Sequence, residues 1–189
     1  MRILRLLLII ALTTMSLLSQ PREGKNKELS LSGSYQNYSS GSSSGSSGAF
    51  LVSPRLGFFV IKGLELEPEL LFMLGSGSDP VYMLNGNVSY NFISTGKGVP
   101  FLLLGYGIAN TIPFFNVPFT KTNFRIDVLN IGGGIKIFLQ EDIAVRLEYR
   151  FQKFTGQGEM YNYNYSYYTS TQKVDTRINT VQFGFSIFL

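Results

Sequence analysis

Eight charged residues occupy polar positions in segments where polar and apolar residues alternate. This arrangement could bring acidic and basic groups together for chemistry. They are Arg55, Glu65, Glu67, Glu69, Lys136, Arg146, Glu148 and Arg150. Neighbouring carboxylates can act as a general acid and a general base. A separation of two residues on a strand, however, places side chains on one face, where glutamates beside arginines form ion pairs. We therefore predict that these eight residues form an enclosed ion-pair network rather than a catalytic site.

The remainder of the sequence gives little support to catalysis. The chain contains no His and no Cys, so a Ser nucleophile lacks its usual base, and thiol chemistry, disulfides and Cys-based metal sites are excluded. Gly132, Gly133 and Gly134 lie within a predicted strand, where close backbone packing or a bulge explains them better than a phosphate-binding loop. We expect no catalytic residue, no cofactor and no metal site.

The elements that position these charges are strands, because apolar and polar residues alternate with a period of two. Eight strands are predicted, approximately over Glu28–Tyr38, Ala49–Val60, Leu64–Ser76, Val81–Ile93, Val99–Ile112, Phe124–Phe138, Ile143–Phe151 and Thr176–Leu189. The connections after strands two, four and six are tight, and the others are longer or looser. Gln152–Asp175 is predicted to be the longest loop. Pro54 and Pro68 lie inside strands and remove ladder donors, so a bulge or a rim is expected at each.

The two ends of the chain indicate export and insertion. Basic Arg2 and Arg5 precede the apolar run Leu6–Leu12, which has the form of a secretory signal peptide and is too short to span a bilayer. We predict a signal peptide over residues 1–20, with the cleavage site left open, and one β-barrel domain over residues 21–189. At the other end, Val181–Leu189 alternates large apolar residues with mostly small or polar ones up to the last position.

Composition helps to decide which face of the predicted sheet meets water. Charged residues make up only 15% of the chain and aromatic residues 14%, and the polar faces carry Ser, Asn and Gly rather than the scattered charge of a water-exposed sheet. The eight charges above are balanced between cations and anions, as an enclosed network requires. Apolar side chains are therefore predicted to face lipid. A barrel is required in that case, because only a closed sheet satisfies its backbone in hydrocarbon.

Four stretches resemble the small outer-membrane β-barrel family, which includes the OmpA membrane domain and the OmpX/Ail-type proteins. They are Ser53–Val60 followed by Leu64–Leu66, Pro100 and Phe101 with Gly105 and Gly107, Gly132–Lys136, and Val181–Leu189. Leu189 departs from the family's usual terminal Phe. The resemblance implies an all-β, eight-stranded antiparallel up-and-down transmembrane barrel in the bacterial outer membrane. As partners it implies outer-membrane lipid, lipopolysaccharide and, through Val181–Leu189, the barrel-assembly machinery.

A structural or surface-interaction role, adhesin-like and exerted through extracellular loops, is the function expected of a monomeric barrel of this kind. Eight strands enclose a space that side chains fill, so the polar lumen is expected to be plugged. Within the longest loop, tyrosines alternate with Asn or Ser, and we predict that they contact host or other extracellular macromolecules: Tyr161, Tyr163, Tyr165, Tyr167 and Tyr168. The formal net charge of +4 comes without a basic cluster, which argues against a nucleic-acid partner.

Two other functions remain open at this point. The first alternative is a secreted or periplasmic soluble barrel that binds a small apolar ligand, as lipocalins do, because alternation alone does not say which face is inside. The second is an outer-membrane lipid-modifying enzyme, which the absence of His disfavours.

Overall fold

The structure, a computed structural model, describes residues 25–39, 46–75, 80–92, 96–110, 125–161 and 169–189. Eight strands are present: β1 (Lys27–Ser39), β2 (Ser46–Ile61), β3 (Leu64–Gly75), β4 (Val81–Asn91), β5 (Gly98–Ala109), β6 (Arg125–Phe138), β7 (Ile143–Tyr161) and β8 (Thr169–Phe188). Each strand pairs antiparallel with its sequence neighbours, and β8 pairs with β1 to close the barrel. The predicted all-β, eight-stranded up-and-down fold is confirmed. The predicted signal peptide lies outside the described residues.

The last hairpin is the main correction to the predicted strands. β7 and β8 pair continuously from Ile143–Ile187 to Tyr161–Thr169, so the predicted loop Gln152–Asp175 is wrong and the connection spans only residues 162–168. The prediction ended strand seven where the outward apolar row stops. Pairing nevertheless continues beyond that row, because a ladder is held by backbone hydrogen bonds and does not need apolar side chains on its outer face.

Short turns close one end of the barrel, here called the turn end, and the opposite end is called the loop end. Gly63, with φ of 76°, provides the left-handed residue of the tight β2–β3 turn. The β2–β3 ladder has gaps around Pro54 and opposite Pro68, but its register is the same on both sides of them. The bulges expected at these prolines are therefore absent from the described ladder, and its register shift falls between Phe59 and Ile61 instead.

Side chains alternate between the interior and the outer wall along every strand. Leu31, Leu104 and Phe183 on the outer wall are 56%, 57% and 53% exposed, whereas Arg55 and Arg150 are 1% and 0% exposed. Water-soluble proteins bury such apolar side chains and expose such charges. This barrel has the reverse arrangement. The described residues contain no helix that is long and apolar enough to cross a membrane.

Candidate functional site

The centre of the barrel holds two arginines that each bind the same two glutamates. Arg55 donates from Nε to Glu69 Oε1 at 2.8 Å and from Nη1 to Glu148 Oε2 at 2.6 Å. Arg150 donates from Nη1 to Glu69 Oε2 at 2.6 Å and from Nε to Glu148 Oε1 at 2.7 Å. The result is a closed ring of charge-assisted hydrogen bonds from strands β2, β3 and β7, of the short and strong kind.

A second set of ion pairs continues the network toward the turn end. Arg146 lies 2.9 Å from Glu67 and 3.0 Å from Glu148, measured from Nη2 to Oε2 in each case. Lys136 Nζ lies 2.5 Å from Glu28 Oε2 and 2.8 Å from Glu65 Oε2. All eight charged residues singled out in the sequence thus lie in one contiguous group, and Glu28 joins them. We call these nine residues the ion-pair layer.

Glu28 is the member that the sequence reasoning missed, although a signal for it existed. It has the same strand parity as Ser30 and Ser32 on β1 and is buried with them. Alternation along β1 alone therefore places its carboxylate inside the barrel. With Glu28 included, the layer contains five carboxylates against four cations.

Uncharged polar side chains donate further hydrogen bonds to the carboxylates. Those of β4 do most of this, because its inward positions from residue 85 onward are Asn85, Asn87, Ser89 and Asn91. Asn85 and Asn87 each donate from Nδ2 to Glu69 Oε2 at 3.0 Å, and Asn91 donates to Glu65 Oε2 at 3.0 Å. A buried charge is tolerated when such partners replace water, and this strand provides them.

Aromatic rings cover the ion-pair layer on its turn side. They belong to Phe59, Phe101, Phe138 and Phe188, which we call the aromatic layer. Lys136 Nζ lies 5.7 Å, 5.5 Å and 5.7 Å from the ring centroids of Phe59, Phe101 and Phe188, and Arg146 Cζ lies 4.4 Å from that of Phe101. These distances are within the range of cation–π attraction, so the rings stabilise the cations as well as shielding them from water.

An apolar layer occupies the interior on the loop side of the charges. Its members are Ala49, Leu51, Leu71, Met73, Val81, Met83, Ala109, Ile126, Val128 and Phe154, with Ile178 packed against them. Leu71 and Met73 continue the inward row of β3 beyond Glu69. This layer was not predicted, because the inward face was expected to be mainly polar, although Leu51, Leu71 and Met73 have the same parity as the charges.

The predicted surface tyrosines are mostly beyond what the structure describes. Tyr161 is the last residue of β7 and its backbone pairs with Thr169. Tyr163, Tyr165, Tyr167 and Tyr168 lie outside the described residues. Within the described part of the chain, no group of three or more His, Cys, Asp or Glu side chains is arranged to hold a metal ion.

A closed eight-stranded barrel with this topology is also found among solved structures. The crystal structure of Neisserial surface protein A (NspA) matches with a TM-score of 0.58 and 13% sequence identity, over 86% of this chain and 96% of that one. The two proteins share the fold of a closed, eight-stranded antiparallel β-barrel. No protein-family model matches the chain, and no curated protein matches it. The similarity therefore defines the architecture of the barrel, and its role must be argued from its own residues.

Proposed function

We propose that this protein is an integral β-barrel of the bacterial outer membrane that acts as a structural and surface-interaction protein. The observation that carries the proposal is the inverted distribution of side chains, with large apolar residues on the outer wall and the ion-pair layer inside. In a hydrocarbon environment the exposed Leu, Ile and Phe side chains incur no cost of contact with water. A soluble, ligand-binding barrel needs an apolar centre and a charged exterior, so the arrangement of this barrel does not support the lipocalin-like alternative.

The interior favours a plugged barrel over a conducting one. Three layers of side chains occupy it in series, and the charged layer is held by direct ion pairs rather than by an open ring of like charges. Eight strands leave room for little more than these side chains. We expect no steady channel when the purified protein is added to a planar lipid bilayer; a stable, ohmic conductance would contradict this part of the proposal.

The proposed interaction element is the β7–β8 hairpin together with its connecting segment. At the loop end β6 begins at Arg125, which pairs with Gln157, whereas the β7–β8 ladder continues to Tyr161 and Thr169. The hairpin thus extends beyond β6 at the loop end. Tyr and Asn, which dominate residues 161–168, combine large contact area with adaptable hydrogen bonding, as binding loops do. We propose that this element contacts lipopolysaccharide or extracellular macromolecules. No enzymatic activity forms part of the proposal, since the chain lacks His and its buried glutamates are held in ion pairs.

Fractionation of cells that express the full chain tests the location. The protein is expected in the outer-membrane fraction, to require detergent for extraction, and to migrate differently on gels with and without heating. Recovery as a soluble protein would refute the proposal. The surface role is tested by deleting Met160–Ser170 and measuring adhesion of the cells, with deletion of Ser42–Gly45 in the β1–β2 connection as the matched control. Equal adhesion of both variants and the parent would leave only the structural role.

A further inference from the structure

Four charged side chains project outward at the loop end of the last hairpin. Lys153 on β7 pairs in the ladder with Arg177 on β8, and Asp175 and Lys173 occupy the next outward positions of β8. Lys153 Nζ lies 3.4 Å from Asp175 Oδ2, whereas neither Arg177 nor Lys173 forms an ion pair with any residue that the structure describes. We call these four residues the basic patch, which carries three cations and one anion.

The cations of the basic patch outnumber the acidic groups around them. Asp127 lies on the neighbouring strand β6 and accepts a hydrogen bond from the hydroxyl of Tyr106, and positive charge remains in excess when its carboxylate is counted. Lys153 and Arg177 also stand directly opposite each other in the ladder, where like charges repel and destabilise a sheet. An anion between these two side chains would remove the repulsion, and the guanidinium of Arg177 is available to bind it.

The height of the basic patch on the barrel follows from the outward row of β8. Arg177 lies ten positions from Ile187, which is at the turn end. This is about 33 Å along the strand and, at a tilt of about 35–45°, about 25 Å along the barrel axis, which is the height of the apolar band of such barrels. Val181, Phe183 and Phe185 lie between them and are exposed on the outer wall. The patch therefore lies at the outer edge of the band, at the level of the phosphate groups of the outer leaflet.

A hydrogen bond between two outward side chains marks the same boundary. Tyr149 donates from Oη to Asn179 Oδ1 at 2.8 Å, and Asn179 is the outward neighbour of Arg177 on β8. Such a polar pair suits the edge of the apolar wall, because aromatic residues form girdles where a membrane barrel meets the interface. The hydrogen bond and the length of the outward row thus place the basic patch at one level.

We propose that the basic patch binds a phosphate group of an outer-leaflet lipid, of the phosphorylated glycolipid class to which lipopolysaccharide belongs. Arg177 and Lys153 donate charge-assisted hydrogen bonds to the phosphate oxygens, and Lys173 adds attraction from the loop side. The acyl chains of the lipid lie along the outward side chains of Val181 and Phe183. These contacts favour a lipid over free phosphate, which gains nothing from an apolar wall. The site rests on the proposed function, since it names the chemical group through which the last hairpin contacts lipopolysaccharide.

The test measures binding of lipid A, the phosphorylated glycolipid anchor of lipopolysaccharide. The protein expressed from its full chain is purified in a nonionic detergent and titrated with lipid A, and native mass spectrometry gives the bound fraction and the Kd. Arg177→Gln should weaken binding about fivefold, as expected for the loss of one basic residue beside anionic lipid. Asp175→Asn releases Lys153 from its ion pair and should tighten binding. Lipid A from which the phosphates have been removed should bind weakly, and equally to the parent and to Arg177→Gln.

Lys62→Gln provides the matched control. Lys62 is exposed in the β2–β3 turn at the opposite end of the barrel, so this variant loses the same charge at a distance well beyond the Debye length of about 8–10 Å. Its Kd for lipid A should equal that of the parent. Gel mobility with and without heating shows that each variant is folded.

Three results would overturn the site. They are equal Kd values for Arg177→Gln and Lys62→Gln, equally tight binding of dephosphorylated and intact lipid A to the parent, and displacement of lipid A by an excess of inorganic phosphate. Recovery of the protein in the soluble fraction would instead refute the proposed function, and that result is read from cells before purification.

Discussion

Replacement of Arg55 by Met should destabilise the barrel far more than loss of a surface cation. Arg55 is fully buried and donates to Glu69, Glu148, Gln182 and Ser53. Removing one partner of a buried ion pair typically costs about 3–5 kcal/mol, because the other charge remains without compensation. Arg150 still binds both glutamates in the variant, so we expect the lower half of that range, about 3–4 kcal/mol.

Two companion variants separate charge from geometry. Arg55→Lys keeps the charge but loses the planar fork that reaches both glutamates, so its cost should be intermediate. Arg55→Met/Glu148→Gln removes one charge of each sign and should recover part of the loss measured for Arg55→Met alone. The surface control is Lys153→Met, whose partner Asp175 lies 3.4 Å away with both side chains partly exposed; such pairs contribute about 0–1 kcal/mol.

The assay is reversible urea unfolding in lipid vesicles, followed by Tyr fluorescence, since the chain lacks Trp, and by gel mobility without heating. The free energy of unfolding of each variant is compared with that of the parent. If the free energies of unfolding of Arg55→Met and Lys153→Met differ by less than about 1 kcal/mol, the interior charges are solvated as surface charges are. The ion-pair layer would then not be shielded from water.

Two further predictions concern the barrel wall. Gly134→Ala should destabilise the protein by about 1–3 kcal/mol, because its new Cβ would collide with the backbone carbonyl oxygen of Leu147. Gly86→Ala is the control and should be close to neutral, because the nearest atom to its new Cβ would lie 3.9 Å away. Equal urea unfolding midpoints for the two variants would mean that close backbone packing at Gly134 does not limit its side chain. Leu104→Arg, on the outer face in the middle of β5, should cost about 2–4 kcal/mol in lipid vesicles. The depth control is Leu139→Arg, just beyond the turn end of β6 at a residue that is 57% exposed, which should cost about 0–1 kcal/mol. An equal cost at both depths would mean that the outer wall does not face a bilayer.

The strands and the inward position of the charges could be predicted because period-two alternation is a local property of the sequence. Glu65, Glu67 and Glu69, for example, indicate which face of β3 is inside, and this inference does not require knowing which residues they pair with. The last hairpin was predicted too short because Lys153 and Asp175 interrupt the outward apolar row, although they do not interrupt backbone pairing. Alternation thus locates the lipid-facing band of a strand better than it locates the end of the strand.

Features that depend on register between distant strands could not be predicted in this way. The contact between Lys136 and Glu28, for example, requires the pairing of β8 with β1 to close the barrel and bring β1 opposite β6 across the interior. No local pattern in the sequence encodes that distance. The same applies to the early end of the β1–β8 ladder at Gly33. The apolar layer was missed for a different reason: its members, such as Met73 and Met83, form one cluster only when the inward residues of neighbouring strands are combined, and alternation is read one strand at a time.

The ion pairs at the centre join parts of the chain that are synthesised far apart. Lys136 and Glu28 are separated by 108 positions, and Arg55 and Glu148 by 93. A partly formed sheet therefore leaves several of these ions without a counterion, so intermediates gain little from the pairs until the first and last strands meet. Closure of the barrel and pairing of the interior charges should then occur together. Folding would be a single cooperative event with few stable partly folded states.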